Sequence, residues 1–194
     1  MIVVSGPERV EESLRAGELP CPRCRGAVRP FGHGRTRTVR GVGATTVTVT
    51  PRRVRCADCR ATHIVLPAEL MVRRADSTEV IGHALIAKAR GAGFRAIAAR
   101  LGRPPSTVRR WLRRVPAGHV ERLHQRAVQV AVRIDPELLG NPFQERPASL
   151  LERALGLFGA TARSYRDRFG WADSPWALVG MFTGGQLLAP PLII

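Results

Sequence analysis

The chain has 194 residues, with 31 basic and 15 acidic side chains and a formal net charge of +16. That length allows one medium domain or two to three small ones. Residues 1–115 hold 23 basic against 8 acidic side chains, and residues 116–194 hold 8 against 7, so the excess belongs to the front of the chain. A field localised in this way favours a polyanion, and nucleic acid is the commonest one. Every basic residue except Lys88 is arginine. A GC-rich coding sequence would give the same bias, so arginine over lysine says little about bidentate recognition. Met1-Ile2-Val3-Val4 is too short for an apolar signal core and is followed by Glu8, Glu11 and Glu12, so no export is expected. The uncharged stretch from Ser174 to Ile194 is interrupted by Thr183-Gly184-Gly185-Gln186 and by Pro190-Pro191, and no basic cluster follows it. It reads as a packed terminal helix with an apolar tail, and no membrane anchor is expected.

Residues 1–19 read as an acidic leader, a short strand or helix that packs loosely. Residues 20–70 carry two C-x-x-C pairs, Cys21/Cys24 and Cys56/Cys59, thirty-one residues apart with no cysteine left over. Two thiolates at this spacing reach one ion from a tight knuckle, and two knuckles complete a tetrahedral site. Disulfides do not suit a chain without an export signal, and a redox pair does not need a twin. The expectation is a zinc ribbon with one structural zinc and no ligand position open to water. His33 and His63 are not expected as ligands, because the site is already full. Strand signals lie at Thr36–Arg40 and Thr45–Thr50, with Arg52–Arg55 leading into the second knuckle, which predicts a three-stranded sheet. Arg25 and Arg60 stand where such knuckles often place glycine; left-handed backbones there cost about 1 kcal/mol each.

Residues 74–115 predict three helices. Asp76-Ser77-Thr78-Glu79 resembles a capping box, with Asp76 as cap and Glu79 reaching back. Val80, Ile81, Ala84 and Leu85 follow at helical spacing. Phe94, Ile97, Ala98 and Leu101 make a second apolar stripe that Gly102 ends. Pro104 and Pro105 open the next helix, Ser106 or the residue before it caps it, and Val108, Trp111, Leu112 and Val115 form its stripe. Two short helices joined by a glycine turn are the helix-turn-helix layout. The face left over on the second carries Ser106, Thr107, Arg109, Arg110 and Arg113, small hydroxyls and arginines of the kind that meet base edges and phosphates in a major groove. Arg95 and Arg103 flank it. On the ribbon, Arg35, Arg37, Arg40, Arg52, Arg53 and Arg55 are expected to hold phosphates or a second groove.

Residues 20–115 resemble the zinc-ribbon plus helix-turn-helix segment at the front of some bacterial insertion-sequence transposases and of small free-standing proteins related to them. The resemblance rests on Cys21-Pro22-Arg23-Cys24, on Arg52-Arg53-Val54-Arg55-Cys56-Ala57-Asp58-Cys59 with Thr62-His63 and Leu66-Pro67, and on Phe94 to Leu112. It implies sequence-specific binding of double-stranded DNA, at transposon ends or at an operator. Residues 117–194 depart from a transposase. The carboxylates Asp135, Glu137, Glu145, Glu152, Asp167 and Asp173 are scattered among helical patterns, with too little chain for a ribonuclease-H-like domain. Helices are expected at Val120–Ile134, Ser149–Phe169 and Trp176–Leu188, with a loop from Asp135 to Pro147. They form a C-terminal helical domain that packs on itself or on a second copy as a homodimer.

The expectation is therefore an α+β, cytoplasmic, nucleoid-associated DNA-binding protein and not an enzyme. A protein–protein interaction module and the remnant of a transposase are the alternatives.

Overall fold

The computed structural model describes residues 1–5, 8–140 and 149–190. Glu145, most of the expected 135–147 loop and the end of the apolar tail lie outside the described residues. The chain is α+β. In order it forms β1 (Ile2–Val4), α1 (Glu8–Arg15), β2 (Val28–His33), β3 (Arg37–Arg40), β4 (Thr46–Val49), β5 (Arg52–Cys56) and β6 (Thr62–Pro67). Eight helices are described in all, and seven follow the strands: α2 (Thr78–Ala89), α3 (Phe94–Leu101), α4 (Pro105–Leu112), α5 (Ala117–Ile134), α6 (Glu137–Gly140), α7 (Leu150–Phe169) and α8 (Pro175–Phe182).

The sheet differs from the expected three strands. It has four, in the order β1-β6-β5-β2, with β1 parallel to β6 and the other pairs antiparallel. The two β-branched runs form a separate hairpin, β3 with β4, instead of joining β5. β2 lies at the sheet edge, where Pro30 costs no ladder bond on a paired side, and its register shifts between Pro30 and His33. The leader is also tighter than expected. Val4, Val10 and Leu14 are buried and share an apolar cluster with Cys21, Val28, Val54, Cys56 and Val65. α1 thus closes the side of the sheet that carries the cysteines.

The helices α2–α5, α7 and α8 share one apolar core that runs from Met71 to Leu188. It does not break at Pro116, so the α3–α4 segment and the C-terminal helices are built on the same packing. Two glycines permit this. A side chain at Gly82 would overlap the Trp176 ring, and one at Gly180 would overlap the Ala68 carbonyl. The stripes of α3 and α4 fall as their spacing requires: Ile97, Ala98, Val108 and Trp111 are buried. Gly102 ends α3 at φ 61°, in the left-handed conformation. α4 starts at Pro105 with no side-chain cap, so Ser106 lies inside the helix instead of capping it.

The expected capping box at α2 is corrected. Ser77 is the cap, its Oγ accepting from the Val80 N–H at 3.3 Å. Asp76 is otherwise engaged. The expected final helix ends at Phe182, several residues before Leu188.

Candidate metal centre and basic face

The four cysteines converge. Their Sγ atoms all lie within 4.8 Å of one another, and all four thiols are free. Cys21 and Cys56 are buried, Cys59 is half-buried and Cys24 is exposed. Each knuckle is a tight backbone turn. The Arg25 N–H donates to the Cys21 carbonyl at 2.8 Å, and the Cys21 N–H to the Gly26 carbonyl at 2.8 Å. The Cys56 N–H reaches the Ala61 carbonyl at 2.9 Å, and the Ala57 N–H crosses to Ala27 at 3.0 Å, which joins the two knuckles. The expected left-handed residues are there: Arg25 has φ 66° and Arg60 φ 59°.

The spacing of the sulfurs tests what the cluster could hold. Cys21 and Cys59 Sγ are 3.7 Å apart, and Cys24 and Cys56 Sγ are 3.5 Å apart. A disulfide requires about 2.05 Å. A tetrahedral ion with metal–sulfur bonds of about 2.3 Å holds its sulfurs about 3.8 Å apart. The residues present therefore fit a four-thiolate metal site. Electrostatics agrees. Burial pushes the Cys21 thiol up, but the N–H groups of Cys24 and Arg23 and the contacts with His63 and Cys59 outweigh it, and its pKa falls to about 6. The Gly26 N–H favours the Cys24 thiolate, but the neighbouring sulfurs, Cys56 first, prevail and its thiol is pushed up to about 12. Clustered thiols cannot all ionise without a cation among them. His63 places Nε2 3.3 Å from Cys21 Sγ, in contact with the cluster but outside the four sulfurs.

The basic side chains divide into those left open and those spent inside the fold. Ser106, Arg109, Arg110, Arg113 and Arg95 are exposed and Thr107 is half-buried. The C-terminal helices do not cover this face. Arg95 and Arg109 place their guanidiniums 5.8 Å from the Phe94 ring centroid, so α3 and α4 share one cationic edge. Arg103 is a correction. It is buried and unavailable to DNA: its Nε donates to Asp76 Oδ1 at 2.7 Å, and its Nη atoms donate to the carbonyls of Gly41, Leu101 and Gly102. Arg40 donates to the other Asp76 oxygen at 2.8 Å. Arg52 is also tethered, to Glu11 at 2.9 Å and to His33 Nε2 at 2.9 Å, and Arg37 donates to two backbone carbonyls. Arg35 stays exposed. Arg53 and Arg55 stand 5.7 and 5.2 Å from the ring of Phe31, an exposed aromatic that no helical or strand periodicity singles out.

Among the described residues, the cysteines are the one group of three or more metal-ligating side chains within reach of a single ion. Of the scattered carboxylates, Asp135 accepts the Ser164 hydroxyl at 2.7 Å. No helix among the described residues is long and apolar enough to cross a membrane.

Residues 21–111 match a family described as a domain of unknown function (DUF6431). The match begins at the first cysteine, ends at the buried Trp111, and takes in both knuckles, the hairpin, α2, α3 and all but the last residue of α4. No curated protein and no solved structure matches the chain.

Proposed function

We propose that the protein is a sequence-specific binder of double-stranded DNA, related to the front of insertion-sequence transposases or acting as a transcriptional regulator. In this reading the cysteine sheet is a zinc ribbon and α3–α4 a helix-turn-helix, with α4 as the recognition helix. The observation that carries it is the open face of α4: Ser106, Arg109, Arg110 and Arg113 in solvent, on a helix fixed from below by Val108 and Trp111. A major groove accepts such a helix, with arginines paired to guanine edges and phosphates. Zinc at Cys21, Cys24, Cys56 and Cys59 would be structural, its binding free energy serving as folding free energy for the ribbon. Arg53 and Arg55, with Phe31 between them, would meet the backbone beside the main site. The chemistry is binding, and residues 117–190 serve it by supporting the reading helices. Cytoplasmic residence at the nucleoid follows from that role.

The test is selection of bound sequences from a random duplex pool, with and without a chelator. A defined motif that disappears when metal is stripped is expected. Absence of enrichment, with salt-insensitive capture of a protein partner instead, would make the chain an interaction module.

A further inference from the structure

The four-stranded sheet has two faces, and α1 closes only one of them. Val28, Val54 and Cys56 are buried on the side of the cysteines. Alternation along each strand sends Arg29, Arg53 and Arg55 to the other side. Arg29 of β2 stands directly opposite Arg55 of β5, and Thr62 of β6 follows on the far side of Arg55. The three strands contain no carboxylate. Like charges directly opposite one another weaken a ladder. None of the ion pairs among the described residues involves Arg29, Arg53 or Arg55. The Arg55 Nε donates to the Arg60 carbonyl at 3.2 Å, which orients that guanidinium without neutralising it.

Phe31 stands among these arginines. The register of β2 shifts between Pro30 and His33, where Gly32 takes φ 78°, and an irregularity of this kind re-aims the side chain beside it. The ring centroid lies 5.7 Å from the guanidinium carbon of Arg53 and 5.2 Å from that of Arg55. The ring nevertheless stays 45 % exposed. A lone apolar side chain in water is ordinary. An open ring between cations that lack counter-ions is a different surface, with a π-face and positive charge side by side.

We propose that this face binds an unpaired stretch of DNA, with one base stacked on Phe31 and the phosphates held by Arg29, Arg53 and Arg55. The proposal rests on the DNA-binding reading above and adds a single strand to the duplex at α4. A single strand supplies both a bare π-face and a row of negative charges. In a duplex the bases stack on one another and present only their edges in the grooves, so Phe31 would have nothing to stack on. An acidic peptide would satisfy the arginines and leave the ring in water.

The test uses the metal-loaded chain and a fluorescent oligo-dT of about 12 nucleotides, followed by anisotropy. Phe31→Leu keeps an apolar side chain and removes the ring. It should weaken oligo-dT binding about 5- to 150-fold, the loss of one stacked base, and leave duplex retention unchanged. Phe31→Trp should bind as wild type does. An abasic oligomer of the same length keeps the phosphates without the bases; wild type should hold it as weakly as Phe31→Leu holds oligo-dT, and the variant should not tell the two oligomers apart. Arg29→Ala should make the slope of log K against log salt shallower by about 0.7. Equal binding of oligo-dT by wild type and Phe31→Leu, or displacement by poly-glutamate as readily as by unlabelled oligo-dT, would overturn the platform. Duplex retention with no oligo-dT held overturns it as well and leaves the duplex reading standing. Oligo-dT held through Phe31 with no duplex retained keeps the platform and removes the duplex reading.

Discussion

Loss of Asp76 should be costly, because it leaves a buried arginine without its counter-ion. Asp76 is 3 % exposed and accepts from Arg103, which is 7 % exposed, and from Arg40, which is 42 % exposed. In Asp76→Ala, Arg40 turns to water at little cost, since a half-exposed pair contributes about 0–1 kcal/mol. Arg103 has no such exit. Its charge stays buried against the carbonyls of Gly41, Leu101 and Gly102 without a counter-ion. Breaking a buried pair from one side costs about 3–5 kcal/mol. For a chain of this length that is a fall in Tm of roughly 6–20 °C. The assay is thermal and denaturant unfolding of the metal-loaded protein, with metal content measured before and after. The double variant Asp76→Ala/Arg103→Met removes both charges and should recover much of the loss, because an apolar replacement of a buried pair is often near neutral. A loss under about 1 kcal/mol in Asp76→Ala, or a double variant no better than the single, would refute the buried-pair account.

Four further outcomes are expected. Cys56→Ser, or a strong chelator, should release the metal and unfold β2, β5 and β6 while α5 and α7 persist; hydrogen exchange resolved by segment reads this, and full protection of the strands in metal-free protein would contradict it. Metal retention should weaken as pH falls, since the Cys24 thiol near 12 must lose a proton on binding while Cys21 near 6 is already ionised at neutral pH. Arg113→Ala should cost about 1–3 kcal/mol on cognate DNA and little on random DNA; equal losses on both would make Arg113 a backbone contact. His119 is buried, with Nε2 3.3 Å from the Leu187 carbonyl, and burial lowers its pKa below the usual imidazole value. The unfolded chain therefore binds the proton more readily, so stability is full above about pH 6.5 and declines as pH falls below it. His119→Gln should flatten that decline relative to wild type in a Tm–pH series; identical slopes would show that His119 is not the titrating group.

What was legible in the chain was what lies close together along it. The cysteine knuckles and the α3–α4 pair follow from spacings of a few residues, and the left-handed Arg25, Arg60 and Gly102 follow from the turns those spacings demand. The capping reading of Asp76 failed because a template four residues long competes with partners far away in sequence. Arg40 lies 36 residues before Asp76 and Arg103 lies 27 after it. Arg103 was misassigned for the same reason: an arginine just before α4 looks solvent-facing until its counter-ion is found. β2 left no periodic signal, because only Val28 of its six residues is buried and Pro30 and Gly32 interrupt it. β1 is a strand only through β6, more than sixty residues away. Phe31 was invisible for a related reason, since its meaning lies in Arg53 and Arg55 beside it.

The nesting of Trp176 against Gly82, and of Gly180 against the Ala68 carbonyl, has a practical consequence for anyone trimming this protein. A fragment stopped after Val115 would keep every cysteine and the whole of α4, yet would strip the lid from Ile81 and Leu85, which are now fully out of solvent. Such a piece would clump before it could be assayed. The C-terminal helices must travel with the half that carries the cysteines and α4.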